Sequence, residues 1–95
     1  MIRESTIVAA IKKALTAHGC YVVKIHGGAY QTAGIPDLLV IYQGRAYMLE
    51  VKRPGALASW RQEVEIKKIR RAGGVAMVVT SASEALEALE AIGCK

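Results

Sequence analysis

The spacing of hydrophobic residues changes several times along the chain, and each change marks a predicted element. Residues 3–18 carry apolar side chains at helical spacing, with Ile7 and Ile11 on one face. Residues 37–42 and 45–52 are short runs of β-branched, aromatic and aliphatic side chains, as in buried strands. The predicted order is a helix over 3–18, strands over 20–25, 37–42 and 45–52, a helix capped by Ser59 and ending near 72, a strand over 75–80 and a last helix capped within 81–84. This order indicates an α/β fold with a mixed sheet of about four strands flanked by helices.

The two central strands form a predicted hairpin. Gln43 and Gly44 separate them, and a two-residue turn there sets Asp37 directly opposite Glu50. Side chains paired in this way lie about 5 Å apart on one face of the sheet. Lys52 follows Glu50 by two residues and therefore points to the same face. A three-residue loop would shift the register and separate the carboxylates, so the geometry depends on the turn.

Both faces of this hairpin are apolar. One face carries Leu38, Val40, Tyr47, Leu49 and Val51, and the other carries Leu39, Ile41, Ala46 and Met48 beside Asp37. Strands buried on both sides predict helices, or a partner subunit, over both faces.

Two carboxylates and an ammonium at one end of apolar strands reduce the stability of the fold unless another group, such as a bound ligand, interacts with them. A hard divalent cation is one explanation, because Mg²⁺ commonly takes one or two protein carboxylates and leaves its other positions to water and phosphate. The alternative is a solvated pair at a strand end, with Lys52 as a surface counter-charge. The combination of Asp37, Glu50 and Lys52, with Pro36 immediately before Asp37, favours the first interpretation.

Composition narrows the class of protein. The chain has 95 residues, which predicts a single small domain over 1–95, and over half of the residues are apolar. Its net charge of +5 suits a polyanion such as nucleic acid, although a soluble protein can also simply be basic. Cys20 and Cys94 have no metal-ligand spacing and are predicted to be reduced, as in the cytoplasm. Neither a signal-peptide layout nor an apolar run of the ~20 residues needed to span a membrane is present.

Three short motifs together resemble a known family. Gly34-x-Pro36-Asp37, Glu50-Val51-Lys52 and Ser59-x-x-Gln62 occur in this order, across the predicted hairpin and into the following helix. They resemble the VRR-NUC (virus-type replication-repair nuclease) domain of the PD-(D/E)XK nuclease superfamily, in its small stand-alone form. The resemblance extends from Glu4 to the last strand and implies a restriction-endonuclease-like core.

The resemblance also implies an activity and a set of site residues. It implies a Mg²⁺- or Mn²⁺-dependent endodeoxyribonuclease without a small-molecule cofactor, acting as a homodimer on branched DNA such as four-way junctions. The implied metal ligands are Asp37, Glu50, the Val51 carbonyl and Glu4, and the implied catalytic residues are Asp37, Glu50, Lys52 and Gln62. For Glu4, a favourable interaction with the dipole of its own helix is an alternative explanation. Gln62 has one too, because Ser59-x-x-Gln62 is also a capping box.

Residues around the predicted site are candidates for DNA contacts. The stretch 26–34 is rich in glycine and leads into Asp37, so it borders the site, although it is equally well explained as a flexible connection. Basic side chains on the second helix form either a solvated face or a stripe that faces DNA. The candidate contact residues are Lys24, His26, Tyr30, Gln31, Arg53, Ser59 and Arg61.

Other functions remain open at this point. A non-catalytic DNA-binding accessory module could keep a nuclease-like fold, but here every catalytic position of the motif is filled. A sequence-specific restriction enzyme would need a recognition domain, for which the chain has no room. No element for reading bases is evident, which favours structure selectivity over sequence specificity.

Overall fold

The computed structural model describes residues 2–25 and 32–93, and these form one mixed four-stranded sheet with three helices. The order αβββαβα is the one that the sequence predicts. The sheet order is β1-β2-β3-β4, with β1, β2 and β3 antiparallel and β4 parallel to β3. The elements are α1 (Glu4–Ala17), β1 (Tyr21–Lys24), β2 (Leu38–Tyr42), β3 (Arg45–Val51), α2 (Trp60–Arg71), β4 (Val75–Val79) and α3 (Ala82–Gly93). No helix of the described chain is long and apolar enough to cross a membrane.

The β2–β3 hairpin has the predicted register. Tyr42 pairs with Arg45 across the turn, and Leu38 pairs with Leu49 at the far end. Gln43 and Gly44 both adopt positive φ, at 49° and 78°. Two central residues of positive φ give a type I′ turn, whose twist matches that of the flanking strands. The prediction of a two-residue turn is therefore confirmed.

The hydrophobic core lies on one face of the sheet, beneath α1 and α3. Side chains of the Leu38 face of the hairpin are completely buried, and α1 and α3 pack over them. Helical spacing in α1 and α3 explains this packing, because apolar residues three or four apart form one face toward the sheet. The helix residues of this core are Ile7, Ile11, Leu15, Ala85 and Leu89.

The opposite face is only partly covered by helices, so of the two predicted kinds of cover, helices or a partner subunit, helices supply only a part. Only α2 packs there among the described helices; it contacts β4, and Gln62 in its first turn reaches Glu50 at the end of β3. A helix is about 10 Å wide and strands lie about 4.8 Å apart, so one helix covers about two strands. The rest forms the open face, which consists of Tyr21, Val23, Leu39, Ile41, Ala46 and Met48.

Candidate active site

The hairpin brings Asp37 and Glu50 together at one end of the two central strands, β2 and β3. Asp37 directly precedes β2, and the register of the hairpin, continued by one residue, places it opposite Glu50. Its Oδ2 accepts a hydrogen bond of 2.8 Å from the backbone N–H of Val51. Its own carbonyl accepts a bond of 2.8 Å from the N–H of Ile25. Asp37 is thus held from both neighbouring strands, after a fully buried Pro36.

Glu50 is a buried carboxylate, with only 2% of its surface exposed. Its Oε2 accepts a hydrogen bond of 3.0 Å from Nε2 of Gln62 and lies 3.6 Å from Nζ of Lys52. Its Oε1 has no hydrogen-bond partner among the described residues. A buried carboxylate oxygen without a partner is costly, so this atom marks the position where a ligand is most needed.

The electrostatics of the pair keep a proton at the site. Burial, together with the charge and hydrogen bonding of Asp37, raises the pKa of Glu50 from the ordinary 4.5 to about 8. Lys52 lowers the pKa of Glu50, but its effect is smaller than these. Glu50 therefore keeps its proton at neutral pH when no cation is bound.

A divalent cation fits these residues. It can take the place of the shared proton, and it would satisfy the orphaned Oε1 of Glu50 with the oxygen ligand chemistry that Mg²⁺ and Mn²⁺ prefer. Val51 lies between Glu50 and Lys52 at the end of β3, but its carbonyl as a ligand remains a prediction.

Glu4 does not join this pair in the part of the chain that the structure describes. No group of three His, Cys, Asp or Glu side chains there is placed to hold a metal ion. Glu4 is the first residue of α1 and is half-buried. The structure therefore brings two carboxylates together, and a third from Glu4 stays a prediction.

Gln62 both caps α2 and contacts Glu50, and its catalytic role stays a prediction. Its Oε1 accepts a hydrogen bond of 2.8 Å from the N–H of Ser59, and its own N–H donates to Oγ of Ser59 over 3.2 Å, which completes a capping box. Its Nε2 remains available and donates to Glu50. The cap therefore fixes the amide in the orientation that presents a donor to the carboxylate.

Gly34 lets the segment before Asp37 pack against the start of α2. Its φ is +86°, and a Cβ atom built at this position would lie 2.5 Å from the carbonyl oxygen of Arg61. Backbone atoms cannot yield as a flexible side chain can, so a larger residue would push the Asp37 segment away from α2. The sequence indicated Gly34 only as part of a motif, because the contact forms between distant parts of the chain.

The described DNA-contact candidates are exposed, and Lys24 pairs with Leu38, on the face of the sheet opposite to the carboxylates. Lys24, at the end of β1, and Arg53, directly after Lys52, are exposed, and so is Arg61 in the first turn of α2. Ser59 is the helix cap, and its role in binding DNA stays a prediction. His26, Tyr30 and Gln31 lie outside the described residues.

The basic residues of α2 are all exposed, and two of them also have a partner within the described chain. Nε of Arg70 donates a hydrogen bond of 2.8 Å to the carbonyl of Ala76, and Nζ of Lys68 lies 3.3 Å from Oε2 of Glu65.

Trp60, which the sequence did not single out, is 73% exposed at the start of α2. The predicted capping box could have revealed it, since Trp60 directly follows the cap and lies about 200° around the helix from Gln62.

Comparison with known proteins agrees with this fold. A solved structure described as a VRR_NUC domain superposes with a TM-score of 0.78 and 28% sequence identity, covering 92% of this chain and 94% of that chain. The chain has the VRR-NUC fold. The resemblance seen in the sequence is thereby confirmed, and the VRR-NUC match supports a nuclease-type domain. No protein-family model matches the sequence, and no curated protein does so either.

Proposed function

We propose that this VRR-NUC domain is a metal-dependent endonuclease that hydrolyses phosphodiester bonds in DNA. The observation that carries the proposal is the buried Glu50 carboxylate, with one oxygen held by Gln62 and Lys52 and the other without a described partner beside Asp37. Most buried carboxylate oxygens in folded proteins have a hydrogen-bond partner, so the second oxygen of Glu50 supports a ligand at this position. Asp37 and Glu50 are the ligands of Mg²⁺ or Mn²⁺ in this proposal, with the Val51 carbonyl and Glu4 as further candidates.

The cation, Lys52 and Gln62 have different roles in the proposed reaction. When bound, a divalent cation makes water a stronger nucleophile and offsets the charge of the scissile phosphate. Lys52, 15% exposed and held beside Glu50, presents its ammonium to the attacking water or to the charge that develops on the phosphate. Gln62 holds the Glu50 carboxylate in place through its Nε2.

DNA is the substrate that the charges favour. The chain carries +5, and two exposed cations neighbour site residues in the chain: Arg53 directly follows Lys52, and Arg61 directly precedes Gln62. Such cations bind phosphates with little dependence on base sequence. Branched DNA, and four-way junctions in particular, is the substrate that the family resemblance suggests, because a dimer can nick two opposing strands.

A homodimer is the assembly we propose, formed through the open face. Two copies of a chain that carries +5 repel each other overall, and an uncharged surface is where this repulsion opposes their contact least. The open face, from Tyr21 across Ile41 to Met48, consists of uncharged side chains, and Tyr21 is 65% exposed there. A surface of this kind is self-complementary across a two-fold axis.

Cleavage of labelled DNA tests the proposal. The substrates are duplex, single-stranded and four-way-junction DNA of matched length, with Mg²⁺ or Mn²⁺ and with EDTA as the metal-free control. Asp37→Ala is the matched inactive variant. Metal-dependent cutting of the junction that disappears in Asp37→Ala supports the endonuclease. Binding without cutting under every metal instead assigns the chain to the accessory modules, and cutting that persists in Asp37→Ala contradicts the site.

A further inference from the structure

Trp60 is an exposed aromatic residue in a fixed position beside the proposed site. It is the single tryptophan of the chain and is 73% exposed. Single exposed apolar side chains are common in proteins, so exposure alone explains nothing. Trp60, however, is the first residue of α2, directly after the capping box of Ser59 and Gln62, so its backbone is fixed relative to Glu50.

A shallow cavity of about 330 Å³ adjoins the indole ring. Its apolar wall comes from Trp60 and Val64, which lie one turn apart on α2, and Ala33 contributes from the segment that leads into Asp37. Arg61 and Lys68 bring positive charge to the same cavity. Lys68 is paired with Glu65, so Arg61 is the stronger candidate for holding a phosphate.

This combination of an aromatic surface, an open cavity and a cation suits a nucleotide. Bases stack on exposed aromatic side chains regardless of their identity, because every base has a π-face. A base within a duplex is already stacked on both sides and cannot offer that face. Trp60 therefore suits an unpaired base and not a paired one.

The position of the ring relates this contact to the cleaved bond. Trp60 and Gln62 lie on opposite sides of α2, a separation of about 10 Å across the helix. A base stacked on Trp60 consequently lies at least one helix width from the Glu50 carboxylate that Gln62 contacts. We infer that Trp60 and Arg61 form a subsite for an unpaired nucleotide at a distance from the cleaved bond, which selects DNA that has a single-stranded arm. This inference rests on the proposed nuclease function and names the feature of the substrate that it recognises.

Intrinsic fluorescence tests the inference directly, because Trp60 is the source of all tryptophan emission. Metal-free protein is titrated with single-stranded DNA, splayed-arm DNA and fully paired duplex, while the anisotropy of labelled DNA reports total binding. Single-stranded and splayed-arm DNA should quench the emission and duplex should not. Trp60→Ala should weaken binding of splayed-arm DNA about 10- to 100-fold and binding of duplex less than about twofold, as expected for the loss of one stacked base.

Two further variants separate stacking from loss of apolar surface. Trp60→Phe keeps a π-face and should retain most of the affinity for splayed-arm DNA. Leu57→Ala removes a side chain that is 88% exposed three residues earlier and should change neither affinity, and circular dichroism checks that each variant is folded. Binding without quenching, or an equal loss on duplex and splayed-arm DNA, overturns the subsite and leaves the nuclease proposal intact. Failure to bind any DNA by anisotropy overturns both.

Discussion

Gln62 donates a hydrogen bond of 3.0 Å to Glu50 while it caps its own helix. The two polar atoms of the amide have different partners. Oε1 accepts a hydrogen bond from the N–H of Ser59, and Nε2 donates one to the buried carboxylate of Glu50. The contact joins the start of α2 to the end of β3, which are otherwise connected by a loop. It therefore makes the geometry of the proposed site depend on a helix cap.

Replacing Gln62 by glutamate should separate the two roles. A carboxylate at the third position of the helix still accepts from Ser59 and is favoured by the helix dipole, so the melting temperature should stay within a few degrees of that of the unmodified protein. The new charge repels Glu50, and cleavage should fall roughly 10- to 100-fold, as for other residues that hold a metal ligand. Gln62→Ala should lose both the helix cap and the contact with Glu50. Its cleavage should fall as in Gln62→Glu, and its free energy of unfolding should also be about 1 kcal/mol lower. Thermal melts and single-turnover cleavage measure these effects, and full activity of Gln62→Glu would contradict the role of the contact.

Lys52→Ala should affect the chemical step more than DNA binding. Its ammonium lies at the site, 3.6 Å from Glu50, and is mostly buried. Removing one preorganised positive group should lower the single-turnover rate roughly 100- to 1,000-fold. The dissociation constant for uncleaved junction DNA, measured by anisotropy, should change only a few-fold. Lys13→Ala, which removes an exposed lysine on α1, is the matched control. Equal loss of binding and rate would make Lys52 a simple phosphate contact.

Without metal, the free energy of unfolding should decrease as the pH rises from the ordinary pKa of Glu50 to its pKa in the folded protein. The pKa of this carboxyl is about 8 in the folded protein and 4.5 in its ordinary state. Between these values the folded protein binds more protons than the unfolded chain, so the free energy of unfolding decreases with increasing pH and levels off above pH 8. The total decrease should be roughly 2–4 kcal/mol.

Glu50→Gln provides the control for this prediction. Glutamine is an uncharged isostere of the protonated carboxyl. The free energy of unfolding of the Glu50→Gln variant should therefore not decrease in this way, and above pH 8 it should exceed that of the unmodified protein. Denaturant unfolding in EDTA at pH 5 and pH 9 measures both proteins. If the difference between the two proteins were independent of pH, Glu50 would not carry the raised pKa.

The features that could be predicted from the sequence are the local ones. The hairpin register follows from the two-residue turn at Gln43-Gly44, and the cap follows from Ser59-x-x-Gln62, because each depends on residues close together in the chain. The partnerless Oε1 of Glu50, the close approach at Gly34 and the open face all depend on where α2 returns across the sheet. Periodicity predicts that α2 exists but not how much of the sheet it covers.

Gly34→Ala should be unusually destabilising for a change of one methyl group. The added Cβ would lie 2.5 Å from the carbonyl oxygen of Arg61, on a backbone whose φ of +86° already disfavours alanine. Gly55→Ala is the matched control, since Gly55 has a φ of +84° but open space around it. Gly55→Ala should cost about 1 kcal/mol for its backbone conformation alone.

The steric contact should make the Gly34 variant cost at least about 1 kcal/mol more than its control. Cleavage should fall with it, because the displaced segment carries Asp37. Denaturant unfolding of both variants, beside a cleavage assay below their midpoints, gives the comparison. Equal losses in the two variants would show that the close approach to α2 does not constrain the site.

Association through the open face should be sensitive to a single charge. Ile41 lies on β2 within this face and is 38% exposed, so lysine can be placed there without entering the core. In the proposed dimer the same side chain lies within the contact, where an unpaired ammonium is costly to bury. Ile41→Lys should raise the dimer dissociation constant by about 100-fold or more, measured by sedimentation equilibrium over a range of protein concentrations.

Leu57→Lys distinguishes a specific interface from a general effect of charge. Leu57 is 88% exposed in the loop before α2 and lies outside the open face, so its lysine variant carries the same added charge without interrupting the contact. It should associate as the unmodified protein does. The Ile41 variant should keep its fold and its binding to one DNA arm, yet lose paired nicking of opposing junction strands, since this requires two sites at once. If the unmodified protein sediments as a monomer throughout, or if both lysine variants dissociate equally, the open face is not where two copies meet.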